Sequence, residues 1–247
     1  MRLVLEKADV FRKSVEALNA LIDEAYFILT EKGLSLKATD PSQISMVDFQ
    51  LDKGAFKEFS IDSQEKLGLD LTYLNQVMSR SKPNDSVVLE LEGGSALLKL
   101  VFAGDSTRTF HIPLLDLSSS ELPNPRIEFE AEVRVRAGLV VDGLKDAGLI
   151  STHVTLGVAP DAFYIQAKSS KGELFHEIKK EKNGLQDLHV KNECRAMFHL
   201  DYLSDMLRAA GSDNELVLKL KANAPVEVSY KLGEARLTYF LAPRIES

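Results

Sequence analysis

Residues 70–92 read DLTYLNQVMSRSKPNDSVVLELE, and residues 199–221 read HLDYLSDMLRAAGSDNELVLKLK. Laid on each other at an offset of 129 residues, the two segments need no gap. Leu71, Tyr73, Leu74, Val88, Leu89 and Leu91 fall on Leu200, Tyr202, Leu203, Val217, Leu218 and Leu220, and the turn Asn84-Asp85 falls on Asp213-Asn214. The same offset lays Val10 to Ala38 on Leu139 to Ala167, where GLSLKA (33–38) meets AFYIQA (162–167). Two matches in one register mean one unit present twice. Such duplication points to a scaffold rather than a catalyst, because a catalytic site seldom needs two equal halves.

Each copy can be read outward from these segments. In the first, Leu3-Val4-Leu5 predicts a short strand and Asp9 can cap the helix that follows. Phe11, Val15, Leu18 and Ile22 recur at spacings of three and four, one apolar helical stripe. Glu31-Lys32-Gly33 sits between two strand-like runs as a hairpin turn, Ile44 to Leu51 alternates as a strand, and Leu71 to Ser81 predicts a second helix. Val87 to Leu91 and Ala96 to Phe102 form a hairpin about Gly93-Gly94. The second copy predicts a strand from Ile127 to Val135, a helix from Leu139 to Leu149, a hairpin about Ala159-Pro160-Asp161, and a strand from Leu174 to Lys180. A helix from Tyr202 to Ala210 and closing strands to Phe240 follow. Two helices per copy among tightly turned strands predict an α+β fold, with antiparallel sheets and helices on one face. The serine- and proline-bearing stretch 116–126 reads as a linker between domains 1–115 and 127–247. Its apolar Leu115, Leu117 and Leu122 either tack the connection down or form one wall of a peptide groove.

Composition is that of a soluble intracellular protein: 247 residues, 45% hydrophobic, 27% charged, enough for two cores. Cys194 is the only cysteine, so no intrachain disulfide can form. The opening MRLVLEKADVF is too short an apolar run for a signal peptide, and no run reaches the roughly 18 apolar residues of a membrane span. A net charge of -7 argues against a uniformly basic surface but leaves room for a local basic lining. Signals for catalysis are sparse. His111, His153, His176, His189 and His199 lack metal-ligand spacing, Gly93-Gly94 has no following lysine for a phosphate loop, and Ser118-Ser119-Ser120 is linker. Asp40 and Asp48 read as solvated carboxylates rather than an acid–base pair. We therefore expect no enzyme, no metal and no cofactor.

Three phrases in register resemble one family. LTYFLAPRIE (237–246) resembles the closing signature of PCNA-type DNA sliding clamps, LSLKATDPSQISMV (34–47) that family's first-domain strand and loop, and ALNALIDEA (17–25) its first helix. The resemblance spans essentially the whole chain. The short linker and the Asp-Pro-Ser phrase look more like archaeal than eukaryotic members; the resemblance implies a cytoplasmic, nucleoid-associated protein if archaeal and a nuclear one if eukaryotic.

The resemblance implies a trimeric ring around duplex DNA, with sheets outside and two helices per domain facing a central channel. Subunits would join by pairing an edge strand at 107–112 with one at 173–178. That puts Arg108 and Phe110 against Glu173, Phe175 and Glu177, with Arg108 facing the two glutamates. The helices would offer Arg12, Lys13, Arg80, Lys82, Lys145 and Arg208 to phosphates without sequence preference. Asp142, Asp146, Asp201 and Asp205 share those helices and make the second domain poorly basic. A groove at Gln43, Ile44, Met46, Leu122, Pro123, Pro225, Phe240, Leu241, Ala242, Pro243 and Arg244 would take a peptide carrying a glutamine, an aliphatic residue and two aromatics. The implied partners are DNA polymerase, flap endonuclease, DNA ligase and a clamp loader. The alternative is a clamp-fold interaction scaffold, or a specialised subunit of a mixed ring, with little direct DNA contact.

Overall fold

Runs of period two and of period 3.6 alternate along the chain, and the backbone follows them. The structure is a computed structural model that describes residues 1–118, 122–123, 125–180 and 184–244. Ser119, Ser120, Glu121 and Asn124 of the expected linker, and Ile245 and Glu246 of the closing phrase, lie outside the described residues.

The first copy gives β1 (Arg2–Leu5), α1 (Ala8–Asn19), β2 (Glu24–Thr30), β3 (Gly33–Thr39), β4 (Ser45–Asp52), β5 (Glu58–Ser60), β6 (Glu65–Asp70), α2 (Leu71–Met78), β7 (Ser86–Glu90), β8 (Leu97–Ala103) and β9 (Thr107–Pro113). The second gives β10 (Ala131–Arg136), α3 (Ala137–Gly148), β11 (His153–Ala159), β12 (Ala162–Ser169), β13 (Gly172–Lys179), β14 (Leu185–Val190), β15 (Cys194–His199), α4 (Leu200–Met206), β16 (Glu215–Leu220), β17 (Val226–Leu232) and β18 (Ala235–Leu241). The order is the same, and α1 and α3, β2 and β11, β6 and β15, and β8 and β17 correspond at the 129-residue offset with no shift.

Topology repeats as well. In the first copy β5-β1-β7-β8-β9 form one sheet, and β6-β2-β3-β4 follow one another in a second. In the second copy the runs are β14-β10-β16-β17-β18 and β15-β11-β12-β13. The paired registers are antiparallel, for example Leu3 opposite Leu89 and Val133 opposite Leu218. By contact density the chain divides into unit one (Met1–Pro41, Val47–Pro123, Leu232–Leu237) and unit two (Ser42–Met46, Asn124–Lys231, Thr238–Ser247).

In unit one the buried rings of Phe11, Phe27 and Phe49 stand 6.1 Å apart in succession, between α1 and the strands. In unit two Gly143 lets α3 lie close to the sheet, since a Cβ there would fall 2.7 Å from Ile165 Cδ1. Tyr230 and Tyr239 stack in the core, and the Tyr230 hydroxyl donates to the Met206 carbonyl at 2.8 Å, which satisfies a polar group that burial would otherwise penalise. Cys194 is buried, and burial pushes its thiol up to about 11.

The structure corrects several expectations. Asp9 does not cap α1. The helix begins after Lys7, and Asp9 lies in its first turn, where it accepts from Arg12 at 2.6 Å and pairs with Lys13 at 2.8 Å. Those bonds, the Lys13 one first, hold its carboxyl below the ordinary range. The strand expected from Ile127 starts only at Ala131, because its partner β16 ends at Leu220, opposite Ala131. α2 stops at Met78 rather than Ser81, and α4 covers Leu200–Met206 rather than 202–210. Strands β5, β6 and β14 lie outside the expected elements, as does β15 although its residues alternate buried with open ones. Gly68 lies inside β6 and permits a close backbone approach, with the Leu115 N–H donating to its carbonyl at 2.8 Å.

The copies solve one helix start differently. Asp70 caps α2 by accepting from the Tyr73 N–H at 2.9 Å, whereas His199 at the matching position makes no side-chain cap to α4. Asp70→Ala is expected to cost about 1 kcal/mol in urea unfolding, and His199→Ala should leave its helix start unchanged by the same measurement.

Candidate functional site

Three surfaces carry the residues singled out by the sequence. The first is a pair of strand edges. β9 ends the sheet β5-β1-β7-β8-β9, and β13 ends the sheet β13-β12-β11-β15. Each therefore has one side whose backbone groups find no strand partner among the described residues, a template for adding a strand. Phe110 of β9 packs edge-on against Phe102 at 5.8 Å, while Phe175 of β13 is 59% exposed and lies over Tyr164 at 5.2 Å.

Within its own chain Arg108 is already held by several groups. Its guanidinium pairs with the buried Asp85, donates to the Arg80 carbonyl at 2.6 Å and lies over the Phe102 ring at 5.2 Å. Asp85 also accepts from the Lys82 N–H at 2.7 Å. Glu173 and Glu177 pair instead with Lys168 and Lys179, each at 3.3 Å. Arg108 thus ties its own strand to the turn after α2, and its charge is largely committed before any second chain arrives.

The second surface is helical. Arg12 and Lys13 share Asp9, and Arg12 also reaches Glu16 at 3.6 Å. Lys145 pairs with Asp142 at 3.5 Å and Arg208 pairs with Asp205. These are exposed pairs three or four residues apart, each worth only a few tenths of a kcal/mol. Arg80 and Lys82 are exposed and make no ion pair among the described residues. The uncommitted positive charge of the predicted set therefore sits at the end of α2, in unit one.

The third surface gathers at the end of β18, in unit two. The Ala242 N–H donates to the Ile44 carbonyl at 2.9 Å, and the Arg244 N–H to the Met197 carbonyl at 2.7 Å. The sequence-distant phrases 42–46 and 238–244 are thus brought together. Gln43 sits at φ +58°, a left-handed conformation disfavoured for a side chain of this kind. Such strain persists only where the surroundings impose it. Ile44, Phe240, Pro243 and Pro225 are half-buried, and Ala242 and Arg244 are exposed. Met46 and Leu241 are buried at 8% and 0% exposure, so their side chains support the surface from below rather than forming it. Leu122 and Pro123 belong to unit one, where the Lys37 ammonium donates to the Leu122 carbonyl at 3.3 Å. The linker start is tacked down: Tyr26 Oη donates to the Leu117 carbonyl and accepts from its N–H, both at 2.7 Å.

Sequence reasoning missed what surrounds Arg244. His153, Thr155, Gln166, Lys168 and Arg195 line a recess with it on one face of the sheet β13-β12-β11-β15. The signal was there: these strands alternate polar with apolar residues, and the polar set on this face is basic. Arg244 Nη1 lies 3.1 Å from both His153 ring nitrogens. Burial first, then Arg244 and His199, lower the His153 pKa, so the ring is neutral at neutral pH. Among the described residues no group of three His, Cys, Asp or Glu could hold a metal, and no helix is long and apolar enough to cross a membrane.

Residues 1–121 match the family model of the proliferating cell nuclear antigen (PCNA) N-terminal domain. The chain is 32% identical over 245 residues to the DNA polymerase sliding clamp of Pyrococcus furiosus, covering 99% of this chain and 98% of that one. It is similar to the crystal structure of PCNA from Thermococcus kodakaraensis, with TM-score 0.94 and 26% identity over 98% and 99% of the two chains. It is also similar to A. fulgidus PCNA, solved with the C-terminal region of FEN-1 bound, with TM-score 0.90 and 28% identity over 100% and 99%.

Arg108→Ala would leave the buried Asp85 carboxylate short of its partner and is expected to cost the dissociated chain about 2 kcal/mol in urea unfolding. Unfolding unchanged in the dissociated chain would assign Arg108 to contacts between chains alone.

Proposed function

The chain belongs to the PCNA family of DNA polymerase sliding clamps, and on that premise we propose that three copies close head to tail around duplex DNA. The observation that carries this reading is the pair of open edges. β9 and β13 lie at the ends of their sheets, in different units, and each has one side without a strand partner among the described residues. An antiparallel pairing of β9 of one copy with β13 of the next satisfies both edges. Because the two surfaces differ, the contact is head-to-tail and closes as a ring when the rotation divides a full turn. Residues 1–115 and 127–247 then serve as the two clamp domains, joined by 116–126.

Within the ring, DNA is held by topology rather than affinity. Direct phosphate contact falls mainly to Arg80 and Lys82, since Arg12, Lys13, Lys145 and Arg208 have acidic partners on their own helices. The surface of unit two at Gln43, Ile44, Pro225, Phe240, Ala242, Pro243 and Arg244 tethers the peptides of DNA polymerase, flap endonuclease, ligase and the clamp loader. Met46 and Leu241 support it. The chain does no chemistry of its own, and it acts at the chromosome.

A second reading, one subunit of a mixed ring, is favoured by the acidic residues Asp142, Asp146, Asp201 and Asp205 on α3 and α4. Light scattering on a sizing column separates the two. A mass about three times that of the 27.4 kDa chain supports the self-sufficient ring, and a monomer at high concentration supports the mixed one. Once loaded on nicked circular DNA, the clamp is expected to remain bound in moderate salt and to slide off when the circle is cut. Retention on the linear form in high salt would contradict encirclement.

A further inference from the structure

The basic recess beside Arg244 has an opening of about 570 Å³, and no carboxylate lines it. That is unusual on a chain whose net charge is -7. Its floor is the solvent face of three strands in register, with His153 opposite His199, Thr155 opposite Met197 and Gln166, and Gly157 opposite Arg195. Arg244 enters from the end of the chain on a fixed backbone, anchored by its own N–H to Met197, with its guanidinium against the His153 ring. Asn223, in the left-handed conformation at φ +51°, closes one side, and its N–H donates to the Arg195 carbonyl at 3.2 Å. The matching position in the first copy is Gly94, at φ +78°. Lys168 has one exposed acidic neighbour, Glu173 at 3.3 Å, outside the recess.

The recess begins where the tethering surface ends, since Arg244 belongs to both. The resemblance places a partner's glutamine at the backbone groups of Ala242 and Pro243, which immediately precede it. We propose that Arg195, Lys168 and Arg244 form a specificity subsite for aspartate or glutamate side chains in the partner segment that runs N-terminal to that glutamine. This rests on the tethering reading above. Neutral donors at Ser151, Thr155 and Gln166 complete the coordination of a carboxylate. Long-range attraction does not account for such a preference, because the chain as a whole repels acidic peptides.

The test uses the full chain and four labelled synthetic peptides read by fluorescence anisotropy at low salt. One is the bare motif of glutamine, aliphatic residue and two aromatics. The others add a short Glu-rich extension at the N-terminal side, the same extension at the C-terminal side, or a Gly-Ser extension at the N-terminal side. The N-terminal acidic extension is expected to lower Kd about tenfold, the sum of a few exposed ion pairs, with the gain shrinking as salt rises. Arg195→Glu combined with Lys168→Glu should abolish that gain while leaving the Kd of the bare motif unchanged, which also reports an intact fold. Equal Kd for the acidic and Gly-Ser extensions overturns the subsite, as does an equal gain from either end or a gain that survives the double variant. Failure of the bare motif to bind removes the tethering reading itself, and the subsite with it.

Discussion

A strand at the edge of a sheet exposes a row of backbone donors and acceptors that burial would leave unsatisfied and that water satisfies only while they stay open. Most of what distinguishes this chain follows from how it meets that constraint. A single copy of the unit would have open edges and no defined partner for them. β9 of the first copy and β13 of the second end their sheets, as β5, β6, β14 and β15 also do, and they present surfaces of different sequence on different units. In the proposed ring, backbone pairing would supply the geometry of association, and side chains such as Phe110 and Phe175 would decide which edge accepts which. Arg108 on β9 is already paired with Asp85 of its own chain.

The sequence made the fold legible because the repeat supplied a second reading of every element. The helical stripe Phe11, Val15, Leu18 and the alternation of β8 and β17 were visible in the residues themselves. What stayed hidden was set by tertiary partners. β6 carries Gly68 in its interior, where a close backbone approach near Leu115 requires it, and β15 carries charged and polar residues on its open face. The start of β10 depends on where β16 ends, about 90 residues away in the chain. Asp9 looked like a cap because an acid at a helix start is favourable both as a cap and in the first turn, and composition does not separate the two.

The site was legible only in part, for a related reason. The phrases 42–46 and 238–244 carried the resemblance, and hydrogen bonds between Ala242 and Ile44 show why they belong together. Which of their apolar residues face outward was not readable: Met46 and Leu241 have the same character as Ile44 and Phe240, and only packing assigns the first two to the interior. The charges on the helices were countable, acids included, but which acid holds which base was not readable, and the pairs with Asp9, Asp142 and Asp205 leave the uncommitted cations of the two halves unequal.

The buried Cys194 has a practical consequence. A thiol whose pKa stands at about 11 is protonated at neutral pH, and its burial keeps reagents away from it. The native chain is therefore chemically silent to maleimide dyes under conditions where an exposed cysteine reacts within minutes. A single cysteine introduced on an outward-facing strand can be labelled without first removing Cys194 from the core of unit two. Fluorophores on such chains would report distances between subunits in a background free of native label.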